Sequence, residues 1–183
     1  MFRRRGITRP VGASGPSDEV VRATENAWKI HQALTEWTGK VDAKASFALA
    51  AESAILAGVV TLAGDGRRLS NLQDVPEQLL FWAGLACLVL AVILVVAVVT
   101  PQLRKQRLAH EWPANYIYFG HLKHWDSDQL ASHLRTDDIL PVLARQLTAM
   151  SAIAWTKHRR LQVSLALATL GSALVGTAAL ITG

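Results

Sequence analysis

Leu79–Thr100 reads LLFWAGLACLVLAVILVVAVVT, 22 residues without a charge, a proline or a side-chain amide. At about 1.5 Å per residue, a helix over this run is roughly 33 Å long, enough to cross a hydrocarbon core of about 30 Å. Two further blocks, one on either side, have the same character. Ser46–Gly64 holds 19 residues with one formal charge, Glu52, and Leu161–Thr182 holds 22 with none. No alternating strand pattern of comparable length competes with them. The blocks predict an all-α integral membrane protein with three transmembrane helices, at residues 46–64, 79–100 and 161–182.

The whole composition agrees. Of 183 residues, 51% are hydrophobic and only 18% charged, where a soluble domain averages about a quarter charged. The single cysteine, Cys87, lies inside the second block, which rules out a disulfide framework and a thiolate metal site. Arg3, Arg4 and Arg5 stand far from the first apolar run, so a cleaved signal peptide is disfavoured.

Lys and Arg sort the segments by side. Residues 1–45 carry 8, the loop at 65–78 carries 2 (Arg67 and Arg68), and residues 101–160 carry 9 of the total of 19. Cationic flanks stay in the cytoplasm. The expectation is therefore a multi-pass protein of the bacterial inner membrane, with its N-terminus and the 101–160 segment cytoplasmic and its C-terminus outside. Trp82 marks the outer end of the second span; Trp155, Lys157, Arg159 and Arg160 mark the inner entry of the third. The net charge of +5 needs no nucleic-acid partner, because the basic residues hug membrane boundaries where anionic headgroups account for them.

Outside the spans, residues 1–16 read as a disordered basic tail. Ser17 caps a helix that Asp18 and Glu19 open. Val20, Ala23, Ala27, Ile30, Leu34, Trp37 and Val41 then step by threes and fours, a heptad seam over 17–45 that runs without proline into the first span. Gly39 is its weak point, a hinge candidate beside the junction residues Asp42 and Lys44. Within 101–160, Pro101 ends the second span. Asp126 or Ser127 caps a short helix, and Asp137 or Asp138 caps a long one with Pro141 in its first turn. Its seam is Leu140, Leu143, Leu147, Met150 and Ala154, and nothing breaks it before the third span. The two seams predict a cytoplasmic, coiled-coil-like stalk, packed on itself or on further copies in a homo-oligomer.

Few residues carry chemistry. An ionised Glu52 near mid-membrane costs at least a few kcal/mol unless paired or wetted. Two readings stay open: a protonated acid bonded to Ser164, Thr169 or Ser172, or a pore-lining gate. Ala50, Ala54 and Gly58 in the first span, with Ser172 and Gly176 in the third, are spaced for close helix approach. His121, His124 and His133 suggest a metal, but spacing places no third ligand. No nucleophile triad, phosphate-cradling loop or zinc-protease motif appears, so no enzyme is expected and no cofactor is implied. Arg104, Arg107, Trp112, Tyr118, Lys123 and Trp125 form the cytoplasmic cluster best suited to a small planar anion, since bases stack on aromatic faces and phosphates take cations. Equally, the aromatics there suit a small core that pins the loop to the stalk.

Three longer phrases, AWKIHQALTEWTGKVDAKASFALAAESAILAG (Ala27–Gly58), EWPANYIYFGHLKHW (Glu111–Trp125) and LPVLARQLTAMSAIAWTKHRRLQ (Leu140–Gln162), resemble the Pycsar effector membrane family. Relatives have also been labelled integral membrane plasmid-transfer proteins. The resemblance runs from about Ala27 to the C-terminus; Val41-Asp42-x-Lys44-Ala45 and Tyr118-Phe119-Gly120 are its most telling parts. It implies a bacterial antiphage effector. A partner cyclase makes cUMP or cCMP on infection, and the effector answers by impairing the inner membrane, so that growth arrests before phage mature. The alternative is a structural protein for conjugative plasmid transfer.

Overall fold

A computed structural model describes residues 17–64, 66–67, 69, 72, 74–101 and 111–182, and among these all regular structure is helical. The expected tail at 1–16, with Arg68, Arg104 and Arg107, lies outside the described residues. Helix α1 spans Asp18–Leu62 and α2 spans Val75–Val99. A single 3-10 turn follows at Trp112–Ala114, then α3 (Phe119–Leu122), α4 (Ser127–Thr136) and α5 (Ile139–Ile181). Three of them, α1, α2 and α5, are long and apolar enough to cross a membrane.

Local chemistry explains where each helix starts and stops. The Ser17 hydroxyl accepts from the Val20 amide, and Asp18 and Glu19 complement the positive helix end. With no proline among them, the 45 residues of α1 run unbroken through Gly39 for about 68 Å. Helix α2 begins at Val75, ahead of the apolar run that opens at Leu79, because Asp74 stands at the cap position and Pro76 fits the first turn. It ends where Pro101 pushes Thr100 into extended backbone, at φ −62° and ψ 128°. Asp126 accepts from the Asp128 and Gln129 amides to start α4; Asp138 accepts from Leu140 to start α5. Gly66, at φ 73°, supplies the left-handed residue that the turn after α1 requires.

Two pairs of contacts set the topology. Asp42 meets Lys157 and Glu52 meets Ser164, so α1 and α5 run parallel. Ala91 meets Ser164 while Gly84 meets Gly171, so α2 runs the other way. The charge-rich N-terminal halves of α1 and α5 therefore share one end of the bundle. Helices α2 and α5 make the most extensive interface, with α1 laid against both. Their backbones touch at Gly84 and Gly171: a Cβ on Gly171 would sit 2.7 Å from the Gly84 carbonyl oxygen.

The small residues that the spacing singled out are not at that crossing: Gly58 and Gly176 face open space, and Ala50 and Ala54 are exposed. The glycines at the crossing are buried where helices of opposite direction meet, which spacing along one helix does not reveal. The α1 seam is only partly covered within the chain. Ala27, Leu34 and Val41 are buried, but Ile30 and Trp37 are 51% and 55% exposed. Helix α5 covers only one position per heptad of α1.

The core divides into two apolar clusters. Val41, Ala45, Ala48, Val95, Val98 and Leu161 pack at the charged end of the spans. Val59, Leu69, Phe81, Leu88, Val175 and Ala178 pack at the other. Phe47, Val60, Leu79 and Leu180, each about two-thirds exposed or more, point outward, as residues facing acyl chains do. Lipid is as apolar as leucine, so close packing and hydrogen bonds, rather than exclusion of water, hold such helices together.

Candidate functional site

Between the two apolar clusters lies one polar layer. Glu52 and Ser164 are 2% and 0% exposed. The Ser164 hydroxyl oxygen is 2.7 Å from Glu52 Oε1 and 2.8 Å from the Ala91 carbonyl oxygen. Ser164 is the donor in both contacts, its one proton shared between the two oxygens or given to either. This one hydroxyl links α1, α5 and α2. Glu52 Oε2 is buried without a hydrogen-bond partner among the described residues. Of the three partners open to Glu52 in the sequence, the structure selects Ser164. The Thr169 and Ser172 hydroxyls instead donate to their own helix, at Leu165 and Ala168.

Where the apolar runs begin, Lys157 Nζ donates to both oxygens of Asp42, at 2.6 and 2.8 Å. The lysine side chain is 9% exposed and the aspartate 40%. Asp42 is the junction residue of the sequence reading; the sequence does not reveal its partner, because Lys157 reads there as one more interfacial cation. Lys44 is exposed and joins no ion pair among the described residues. Gly39 is helical and faces open space.

The aromatic segment separates into two parts. In the first, the Trp125 indole N–H lies 3.1 Å from the Trp112 carbonyl and 3.2 Å from that of Asn115. Its ring meets Trp112 edge-on at 5.2 Å, Tyr116 at 6.1 Å and His133 at 4.7 Å. Trp112 and Trp125 thus form a joint between the 112–116 turn and α4. Arg145, which sequence reasoning passed over, fastens that joint to α5 by donating to the Ala114 carbonyl and to Asn115. Tyr116 is buried in the joint. Burial first, and then the Asp137 and Asp138 carboxylates, push its phenol above the usual range. Its hydroxyl has no hydrogen-bond partner among the described residues.

The second part is a cavity of about 460 Å³. Tyr118, Phe119 and Ile117 face His31, Thr35 and Thr38 of α1 and Gln146, Ala149, Met150 and Ile153 of α5. Gly120 is required here, since a Cβ at that position would collide with the Tyr118 ring. His121 is buried 5.5 Å from the same ring, while Lys123 and His124 are exposed. Among the described residues no three His, Cys, Asp or Glu side chains converge as metal ligands would. Tyr118 and the Trp112–Trp125 pair therefore belong to different places.

Such an arrangement defines a three-span helical membrane protein whose two long helices carry a cavity-bearing stalk at one end. No curated protein and no solved structure matches it significantly. The model of the Pycsar effector protein domain, however, matches residues 26–183, and the chain belongs to that antiphage effector family.

Proposed function

We propose that this effector senses a cyclic pyrimidine mononucleotide, cUMP or cCMP, made by a partner cyclase, and responds by opening its three-helix bundle in the inner membrane. The charged end lies in the cytoplasm and the C-terminus outside. The observation that carries this reading is continuity. Helices α1 and α5 each run without a break from the walls of the Tyr118 cavity to the Glu52–Ser164 layer. A ligand that moves them apart at the cavity also moves them at mid-membrane. There Glu52 loses its partner and is wetted, and growth arrest follows from the leak.

Tyr118 and Phe119 offer faces for the base, and His31 and Gln146 offer polar groups to the rest of the ligand. Arg104, Arg107 and Lys123 supply cations for the phosphate. The opened state requires more wall than three helices provide, so it forms between copies, with the exposed Ala50–Ala54–Gly58 face of α1 turned to a neighbour. For the ligand to drive opening it must prefer the open arrangement; a preference of about 4 kcal/mol shifts the ratio about a thousandfold. Permeability of protein-loaded liposomes to a trapped dye, measured with each nucleotide, tests the reading. No leak with either cUMP or cCMP rejects it.

A further inference from the structure

A second cavity, of about 650 Å³, opens between Leu34 and Trp37 of α1 and the 151–162 stretch of α5. It straddles the level at which charged sequence gives way to apolar sequence. Trp37 and Ser151 lie before that level, while Gln162 already belongs to the apolar block that begins at Leu161. Trp37 and Trp155 line it and are 55% and 73% exposed. Neither indole makes a hydrogen bond or a ring contact among the described residues, so both rings and their N–H groups are open to a ligand. So much bare aromatic surface at such a level is what interfacial tryptophans present to a bilayer.

The polar part of the lining is cationic. Arg159 is exposed and joins no ion pair or hydrogen bond among the described residues. His158 Nδ1 lies 2.9 Å from the Ala154 carbonyl oxygen. A carbonyl only accepts, so that nitrogen carries a proton and Nε2 is the one left to a ligand. No acidic residue lines the cavity. On α1, Asp42 is paired with Lys157 and Glu36 with Lys40.

We propose that this cavity holds the phosphate-bearing headgroup of an anionic phospholipid from the leaflet at the charged end. Arg159 takes the phosphate, for which the planar guanidinium fork is well suited. Trp37 and Trp155, on the charged side of Arg159, flank the part of the headgroup beyond the phosphate, and the glycerol and first acyl carbons leave past Gln162. The mouth reaches into the apolar zone, which a soluble anion has no reason to enter and a lipid cannot avoid. Trp37 comes from α1 and Arg159 from α5, so a bound lipid spans the two long helices and holds their spacing at the membrane surface. The site is separate from the Tyr118 cavity, and the inference does not depend on the nucleotide reading.

Native mass spectrometry of the full-length protein, delipidated in detergent and titrated with phosphatidylglycerol or phosphatidylcholine, tests it. Phosphatidylglycerol is expected to bind in preference to phosphatidylcholine, and Arg159→Ala to weaken it about tenfold or more, the effect of losing a charge-assisted pair. Arg160→Ala, next in sequence but outside the lining, is expected to stay near wild type. Equal losses in the two variants would mean general attraction to a basic surface and overturn the site. Competition by glycerol phosphate, inorganic phosphate or cUMP would make it a soluble-anion site and overturn the headgroup assignment. Should Arg159→Ala not fold, Arg159→Gln keeps the stem and carries the same comparison.

Discussion

Ser164→Ala removes one oxygen from the centre of the bundle, and its effect follows from the geometry. With the hydroxyl gone, Glu52 Oε1 loses its contact at 2.7 Å and the Ala91 carbonyl loses its second contact at 2.8 Å. Oε2 has no partner among the described residues already, so the carboxyl is left bare in a layer only 2% exposed. An unpaired buried polar group costs about 1–3 kcal/mol, and hydrogen bonds between helices in membranes sit at the low end, near 0.6–1.7 kcal/mol. A loss of about 1–2 kcal/mol raises the population of the opened bundle roughly 5- to 30-fold. Purified variant in detergent should melt earlier by near-ultraviolet circular dichroism, and in liposomes it should leak dye without any nucleotide. Glu52→Gln is the internal control. Its amide keeps an oxygen that can accept from Ser164, so the melt should stay near wild type, whereas nucleotide-triggered toxicity should change. An unchanged melt and unchanged basal leak in Ser164→Ala would refute the Ser164 hydroxyl as the clasp of the bundle.

Gly171→Ala should destabilise the protein by about 1–3 kcal/mol, because its Cβ would meet the Gly84 carbonyl at 2.7 Å and Leu88 at 2.9 Å. Gly176→Ala, in open space, should leave the same melt within about 0.5 kcal/mol of wild type. Lys157→Met should cost about 1–3 kcal/mol, since the partly buried Asp42 loses two charge-assisted bonds, and Asp42→Asn should recover part of that loss in the double variant. Phe119→Ala should weaken cyclic-nucleotide binding by calorimetry about tenfold, the effect of losing one stacking face, without moving the melt. The hydrogen bond from His133 holds the Asp137 carboxyl below the usual carboxylate range. The stabilisation it lends the α4–α5 corner is therefore complete above the ordinary aspartate range and lost as pH falls through the lowered value. Hydrogen exchange at 127–140 should accelerate over that acidic window, and Asp137→Asn should abolish the pH dependence.

Properties that depend on residues near one another in the chain were legible in the sequence. Leu79–Thr100 could only be a span, because an uncharged run of that length must satisfy its own backbone in lipid. Asp126 and Asp138 announce helix starts through local hydrogen bonds, and the absence of proline between Ser17 and Leu62 permits one helix across the stalk and the first span. Periodicity, by contrast, left the partner of the α1 seam open. It shows which residues of a helix share a stripe, while the partner decides how wide a stripe is covered, and α5 leaves Ile30 and Trp37 bare. The aromatic segment failed differently. Trp112, Tyr118 and Trp125 look equivalent in a list of rings, yet the first and last spend their faces on each other and Tyr118 turns to a cavity.

Spans, their length and the grouping of cations were therefore determined by the sequence alone, since each depends on transfer of a single segment between water and lipid. Tertiary structure alone decided that Glu52 meets Ser164, that Lys157 meets Asp42, and that Gly84 rather than Gly58 makes the close crossing. These are contacts between residues about ninety to 115 positions apart, set by the relative rotation and height of packed helices. One residue of axial shift is about 1.5 Å and 100° of rotation. That is enough to trade one partner for another while leaving every hydrophobic run unchanged.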